Sequence, residues 1–142
     1  MQINARHDFK SPRRQVIARF RDPARLETAL KGLRVKLTRT AESPAPAWNG
    51  SVKWRGNPRP LTVALTEPSA GQTLLLTVKS DIAEATLRFD FAHLPEAGCR
   101  VTAEATPIAR NPLTRIAVAS MGLVKGKLSK RLAKLVEALG KP

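Results

Sequence analysis

The chain has 142 residues, 25 of them Lys or Arg and 11 Asp or Glu, which gives a formal net charge of +14. This length fits one domain, residues 1–142, able to bury a core without disulfides or metals. The lone Cys99 excludes an internal disulfide and fits a reducing cytoplasm, and no apolar run reaches the ~18–20 residues of a membrane span. The first eight residues include no apolar segment of the kind a secretory leader needs. We therefore expect a soluble, cytoplasmic protein.

The positive charge is concentrated at the two ends of the chain. Residues 1–40 carry eleven basic and three acidic side chains, residues 41–110 seven of each, and residues 111–142 seven basic and one acidic. Such an excess attracts polyanions, namely anionic lipid, nucleic acid or acidic protein. The alternative is that the basic side chains serve solubility alone.

The first forty residues predict a strand followed by two short helices. Residues 2–9 alternate between apolar and polar side chains, which is typical of a half-buried strand. Ser11-Pro12 and Asp22-Pro23 each place a capping side chain before a proline at the first helical position. Gly32 is predicted to end the second helix.

The middle of the chain predicts six further strands. Alternating segments are separated by turn signals, including one over residues 56–60 that is rich in Gly, Asn and Pro. The predicted strands cover residues 33–38, 48–55, 61–65, 73–79, 83–91 and 99–105. Short connections between successive strands indicate an antiparallel meander.

The last thirty residues predict one long amphipathic helix. Asn111-Pro112 repeats the cap-and-proline start, and a helix over about residues 113–139 would span about 40 Å. Apolar and small residues form one stripe at helical spacing: Leu113, Ala117, Ser120, Met121, Val124, Leu128, Leu132, Leu135 and Leu139. Gly122 and Gly126 lie opposite this stripe and each costs about 1 kcal/mol relative to alanine, so they mark a soft point.

This order of elements resembles the helix-grip fold of the SRPBCC superfamily, which includes START lipid-transfer domains, birch-pollen-type allergens and polyketide cyclases. The resemblance covers nearly the whole chain. It is carried by the opening strand Ile3–Phe9, Ser11-Pro12, Asp22-Pro23-Ala24, Trp48 and Trp54 on the third strand, and the helix from Pro112. It implies an α+β fold, a seven-stranded antiparallel sheet wrapped around the long helix, with a ligand cavity between them. It implies no single activity.

The inward positions of the predicted strands are nearly free of polar groups and rich in small residues. These are Ala5, Gly50, Ala83, Ala85, Ala103 and Ala105, facing Ala117, Ser120 and Met121 of the helix. The volume they leave is either filled by aromatic side chains in a solid core or occupied by a ligand. The candidate ligand contacts are His7, Trp48, Trp54, Ala85, Phe89, Ala103, Ala117, Met121, Val124 and Arg131.

Two of these candidates have polar side chains with open roles. His7 could contact the polar head of a ligand, or be a core residue hydrogen-bonded to backbone. Arg131 could bind a carboxylate or phosphate, or pack its stem while its head stays in water.

The residue types that catalysis needs do not converge. His7 and His93 are predicted on different strands, one cysteine offers no zinc spacing, and Glu84, Asp90 and Glu104 fall on the outward face. No nucleophile-elbow, P-loop or dinucleotide motif occurs. We therefore predict no catalytic residue, no metal and no cofactor, and a cyclase-like enzyme is the last of three hypotheses.

The leading hypothesis is a protein that binds a small hydrophobic ligand or lipid, with transport as an extension of that binding, while peripheral at an anionic membrane. In the resembled fold the helices border the cavity mouth, and each basic residue near an anionic surface contributes about 1 kcal/mol. The candidate docking residues are Arg13, Arg14, Arg19, Arg21, Lys125, Lys127, Lys130 and Lys134. Binding of nucleic acid or an acidic partner through the same helices is the alternative. The few aromatic residues, predicted inward, disfavour nucleic acid because they offer it no stacking surface.

Overall fold

The computed structural model describes residues 2–32 and 35–142, and the side chain of Trp54 lies outside that description. The start of the predicted strand 33–38 is likewise outside it. The elements are β1 Ile3–Phe9, α1 Arg13–Arg21, α2 Pro23–Lys31, β2 Lys36–Ala41, β3 Ala47–Trp54, β4 Asn57–Ser69, β5 Thr73–Ser80, β6 Ala83–Leu94, β7 Gly98–Ala109, α3 Pro112–Ser120 and α4 Lys125–Gly140. Short 3-10 segments lie at Pro95–Ala97 and Met121–Val124.

The strands form one antiparallel sheet in the order β1-β7-β6-β5-β4-β3-β2. Strands β2 to β7 follow one another as a meander, and β1 joins the far edge by pairing with β7 from Ile3 opposite Ala105 to Phe9 opposite Cys99. The seven-stranded sheet, the two short helices after β1 and the C-terminal helical segment confirm the predicted α+β helix-grip architecture.

The core fills the space between the sheet and helices α1, α2 and α4. From α1, the Phe20 ring meets Phe89 and Phe91 edge-on, with centroids 5.2 and 5.0 Å away. The apolar side of α4, which includes the fully buried Val136 and Leu139, packs over β1. Each such aliphatic side chain contributes about 1.5–3 kcal/mol when it is fully buried. This end of the molecule is therefore a solid core.

Two of the three predicted helix starts are confirmed. The Asp22 carboxylate accepts a hydrogen bond from the Ala24 N–H at 3.0 Å, and Asn111 forms a reciprocal capping box with Thr114. Ser11 does not cap α1, contrary to the prediction. The cap position is Pro12, and the Ser11 hydroxyl accepts a hydrogen bond from the Arg19 guanidinium at 3.1 Å.

The predicted turn over residues 56–60 is wrong for most of its length. The chain reverses at Arg55 and Gly56, both with positive φ, and residues 57–60 already belong to β4. These residues pair with β3, whereas pairing of β4 with β5 begins only at Leu61. The prolines there remove no hydrogen bond from the β4–β5 ladder, so a strand tolerates them.

The C-terminal helical segment is interrupted where the glycines indicated a soft point. A 3-10 segment, Met121–Val124, separates α3 from α4. The predicted stripe is buried only in α4, at Leu132, Leu135 and Leu139. Its first half is not covered in the same way, because Leu113 and Val124 are 41% and 46% exposed.

Candidate ligand-binding cleft

A cleft of about 390 Å³ lies between α3 and one end of the sheet. Its walls come from strands β3 to β7, the β5–β6 turn, α3 and the start of the 3-10 segment, and of the strand residues only Glu84 has the outward parity. The lining residues are Val52, Leu61, Val78, Ser80, Ile82, Ala83, Glu84, Ala85, Pro107, Thr114, Ala117, Val118 and Met121. All but three of these side chains are apolar.

The cleft exists because side chains are small at this end of the sheet and large at the other. Ala83 and Ala85 on β6 face Ala117 on α3 across the cleft. Farther along the same strand, Phe89 and Phe91 fill the interior together with Phe20. Alanine leaves volume that native interiors rarely tolerate empty, so this end of the sandwich is open while the other is closed.

Two of the polar side chains at the cleft wall are already hydrogen-bonded. The Ser80 hydroxyl donates to the Ala83 carbonyl at 3.1 Å and accepts from the N–H groups of Ile82 and Ala83. The buried Thr114 hydroxyl donates to the Ile82 carbonyl at 2.8 Å and accepts from the Asn111 N–H. The Thr114 bond ties α3 to the β5–β6 turn, and both hydroxyls have little capacity left for a ligand.

The third polar side chain, Glu84, forms an ion pair with Arg110 at the end of β7. Both side chains are partly exposed, so this pair lies at the rim of the cleft. The cleft therefore offers a ligand an apolar wall and neutralised polar groups. It can bury an apolar molecule, and none of its described lining residues is arranged to bind a charge.

The structure brings three of the ten predicted ligand contacts together, because Ala85, Ala117 and Met121 line the cleft. Three others, Trp48, Phe89 and Ala103, are buried in the solid core. The remaining described candidates lie elsewhere: His7 is half-buried beside the Phe9 ring with centroids 4.5 Å apart, Val124 is exposed beyond the cleft, and Arg131 is exposed on α4. The Trp54 side chain lies outside the described part.

The other small inward residues do not contribute to the cleft. Ala5 and Ala105 pack against the core, and the space beside Gly50 is taken by β2. A Cβ at Gly50 would lie 2.8 Å from the Leu37 side chain and closer still to the Lys36 carbonyl. At these positions the solid-core alternative holds, since small side chains allow neighbouring elements to approach closely.

Most of the cleft wall was not among the predicted contacts. Val52, Leu61 and Val78 have the inward parity of their strands, so a search along that parity toward the strand ends would have found them. Val118 had no such signal. It faces the cleft although it is off the predicted helical stripe, since only the packing of α3 selects which side faces the sheet.

The predicted basic surface divides into engaged and exposed residues. Arg19 donates to the Gly140 carbonyl at 3.0 Å, at the C-terminal end of α4, where the helix dipole favours positive charge. Arg21 forms a bidentate pair with Glu67 at 2.7 and 2.8 Å. Arg14 is exposed and Arg13 half-buried. The four predicted docking lysines of α4 are all exposed: Lys125, Lys127, Lys130 and Lys134.

Cysteine reactivity and metal binding find no support in the described residues. Cys99 is completely buried, and burial raises the pKa of its thiol. Within residues 2–32 and 35–142, no three His, Cys, Asp or Glu side chains are grouped to hold a metal ion. No helix in the described ranges combines the length and hydropathy that crossing a membrane would require.

The fold matches several solved structures over almost its full length. A Thermus thermophilus protein, TTHA0849, aligns at TM-score 0.72 and 17% identity, covering 99% of this chain and 95% of that one. The Zhui aromatase/cyclase from a Streptomyces species aligns at TM-score 0.65 and 12% identity, covering 97% and 93%. A START superfamily protein from Mycobacterium smegmatis aligns at TM-score 0.59 and 15% identity, covering 97% and 98%. Neither a protein-family model nor a curated protein matches the chain in sequence.

Proposed function

We propose that this protein binds a small, uncharged, apolar molecule in the cleft beneath α3. The observation that carries the proposal is the nature of the cleft wall. It is apolar apart from Ser80, Glu84 and Thr114, and each of these already has an intramolecular partner. A ligand held there gains stability from burial of its apolar surface.

The size of the cleft supports a ligand larger than one aromatic ring. Its 390 Å³ falls within the ~300–1,000 Å³ typical of small-molecule sites, whereas a dry cavity of ~150 Å³ already admits benzene. A charged head group inside the cleft would lose its hydration without a partner, because Arg110 is already paired with Glu84. The cleft thus favours a ring system or hydrocarbon chain over an anionic lipid buried whole.

Native mass spectrometry of the purified protein, followed by organic extraction, tests the proposal directly. An apolar adduct is expected. Titration with 1-aminoanthracene should show saturable binding, and the same ring bearing a carboxylate should bind at least tenfold more weakly. An unshifted mass together with no binding of the uncharged probe would overturn the proposal.

A pair of substitutions on α3 locates the binding. Ala117→Leu fills the cleft with additional carbon atoms and should weaken binding of 1-aminoanthracene by about tenfold or more. Ala119→Leu is the matched control, because Ala119 is exposed on the same helix and is not part of the cleft wall. Equal effects of the two substitutions would show that the probe binds elsewhere.

We further propose that the exposed lysines of α4 dock the protein on an anionic membrane. Lys125 begins α4 four residues after the cleft residue Met121, so the basic helix follows the cleft wall directly in the chain. Arg19 and Arg21 contribute less to this surface, since their guanidinium groups are engaged within the molecule.

Charge reversal with a matched control tests the docking. The triple variant Lys127→Glu, Lys130→Glu, Lys134→Glu should lose most of its sedimentation with phosphatidylglycerol vesicles. Reversal of three other exposed lysines, Lys36, Lys53 and Lys79, changes the net charge equally and should have a much smaller effect. Equal losses would mean that the net charge acts without a docking face.

The alternative functions find less support in the described residues. The side chains of Trp48 and of the four phenylalanines are all buried, so none of them offers a base a stacking surface. Cyclase-like chemistry needs polar groups free to act on a substrate. At the cleft wall, Ser80 and Thr114 are bonded to backbone groups and Glu84 is paired with Arg110.

A further inference from the structure

One stretch of the chain holds the exposed large apolar side chains of the described residues. All five lie between residues 108 and 124: Ile108, Leu113, Ile116, Leu123 and Val124. The exposed fraction is 41% at Leu113, 65% at Ile116 and 90% at Leu123. Contiguous exposed apolar surface is a signature of an interaction site.

Three of these residues form a single line on the outer side of α3 and the 3-10 segment. Leu113 and Ile116 are three positions apart on one face of α3, and Leu123 is exposed like them in the 3-10 segment that continues the helix. We call these three residues the apolar ridge. The opposite side of the same segment, with Thr114, Ala117 and Met121, lines the cleft. The segment therefore has an inner apolar side that meets the cleft and an outer apolar side that nothing in the described fold covers.

The charge around the apolar ridge is of one sign. No acidic residue occurs between Glu104 and Glu137, and seven basic residues fall in that interval. Three exposed ones are close to the ridge in sequence: Arg115 adjoins Ile116, and Lys125 and Lys127 follow Leu123. An aliphatic line bordered by cations is the arrangement by which interfacial helices bind anionic membranes.

We propose that the apolar ridge inserts into the hydrocarbon layer of an anionic bilayer while Lys125 and Lys127 contact its head groups. This inference rests on the proposed membrane docking and deepens it by naming the inserting side chains. A bilayer has negative charge at its surface and hydrocarbon beneath. The lysines would contact the charged surface and Leu123 the hydrocarbon below it. A nucleic acid would not cover the apolar ridge with apolar groups. A second copy of the chain would bring another +14 charge to the contact and so repel the first.

Site-specific labelling tests insertion directly. Cys99 is completely buried, so a cysteine introduced by Leu123→Cys is the accessible thiol for an environment-sensitive NBD label. Its fluorescence should shift to the blue with vesicles containing phosphatidylglycerol, and nitroxide lipids should quench it. The control is Ile108→Cys, whose side chain is 48% exposed on the sheet face opposite the buried Val101 and Ala103. Its label should remain in water.

Substitution separates insertion from electrostatic docking. Ile116→Ser with Leu123→Ser should weaken partitioning into phosphatidylglycerol vesicles by about tenfold or more, because two aliphatic side chains are removed. Ile108→Ser should leave partitioning unchanged. Thermal unfolding should be nearly unaffected in each variant, because these side chains are exposed.

Three outcomes would overturn the inference. If reversal of the α4 lysines weakens vesicle partitioning but the double serine substitution leaves it unchanged, the protein docks without insertion. Absence of any vesicle binding would remove docking and insertion together, whereas apolar probe binding in the cleft would stand independently. Self-association of the wild-type protein that the double serine variant abolishes would show that the ridge is an interface between copies.

Discussion

Phe9 and Gly140 show how closely single residues are fitted where α4 meets β1. A Cβ atom at Gly140 would lie 2.3 to 2.8 Å from three carbon atoms of the Phe9 ring. Such distances are well inside van der Waals contact, so any larger side chain there would displace the ring or the end of the helix. Gly126, at the exposed start of α4, has nothing within 4 Å of the same position.

These two glycines provide a matched pair of stability predictions. Gly140→Ala should lower the free energy of unfolding by about 1–3 kcal/mol through overpacking. Gly126→Ala should raise it by up to about 1 kcal/mol, because alanine is the better helix former and meets no neighbour. Urea denaturation of both variants measures the difference. A stabilising effect of Gly140→Ala would contradict the contact with Phe9.

At the scale of elements, two glutamate–arginine ion pairs connect helices α1 and α2 to the sheet. Glu27 of α2 accepts bonds from Arg39 of β2 at 2.7 and 2.8 Å and from the indole N–H of Trp48 on β3 at 2.7 Å. Glu67 of β4 pairs with Arg21 of α1 in the same bidentate manner. Hydrogen bonds from Arg39, and then from Trp48, hold the pKa of Glu27 below its ordinary value of 4.5, and Arg21 does the same for Glu67.

The lowered pKa values predict loss of stability in acid. The folded state binds fewer protons than the unfolded state as the pH falls below the ordinary carboxylate range. The stabilisation is therefore fully present above about pH 5 and declines as the pH drops toward the folded pKa values. Glu27→Gln should be less stable at pH 7 and lose less on acidification, as followed by urea midpoints from pH 7 to 3. Glu96→Gln, in the exposed β6–β7 connection, should parallel the wild type.

A second element-scale prediction concerns the attachment of α3 above the cleft. The Thr114 hydroxyl accepts a hydrogen bond from the N–H of the N-cap residue Asn111 at 3.2 Å and donates one to the Ile82 carbonyl at 2.8 Å. Thr114→Val preserves its shape but removes both functions of the hydroxyl, so the protein should lose about 1–2 kcal/mol of stability.

Hydrogen exchange locates the effect of that substitution. Backbone amides of residues 112–124 should exchange faster in Thr114→Val, while those of β7 and the second half of α4 keep their protection. Ser120→Ala is the control, because the exposed Ser120 hydroxyl bonds only within its own helix, to the Ile116 carbonyl. Unchanged exchange across α3 would show that other contacts hold the helix over the cleft.

At the scale of the whole molecule, Cys99 reports on global unfolding. It lies on β7, between β1 and β6, with α1 and α4 on the same side of the sheet, and its side chain is completely buried. Labelling by a disulfide reagent should therefore be slow in the native protein and accelerate with urea as the equilibrium population of unfolded molecules grows. Rapid labelling without urea would mean that β1 and α4 open locally.

The sequence by itself determined the class of fold, because period-two alternation, cap-and-proline starts and the final apolar stripe act over a few neighbouring residues. Asp22 and Asn111 cap their helices as expected, and Gly122 lies where the long helix is interrupted. The sequence predicted the cleft only in part. Ala85, Ala117 and Met121 were among the predicted contacts, whereas Val118 and the separation of a solid from an open end were not.

Only the tertiary structure decided which small residues border free volume. Ala103 and Ala85 belong to the same kind of inward position, yet Ala103 is buried in the core and Ala85 lines the cleft. The difference arises because α4, which follows the interruption at Met121–Val124, packs over β1, while α3, which precedes it, contacts β7 and borders the cleft at Pro107. Free volume depends on how side chains from elements distant in sequence pack together, and a local sequence pattern does not contain that information.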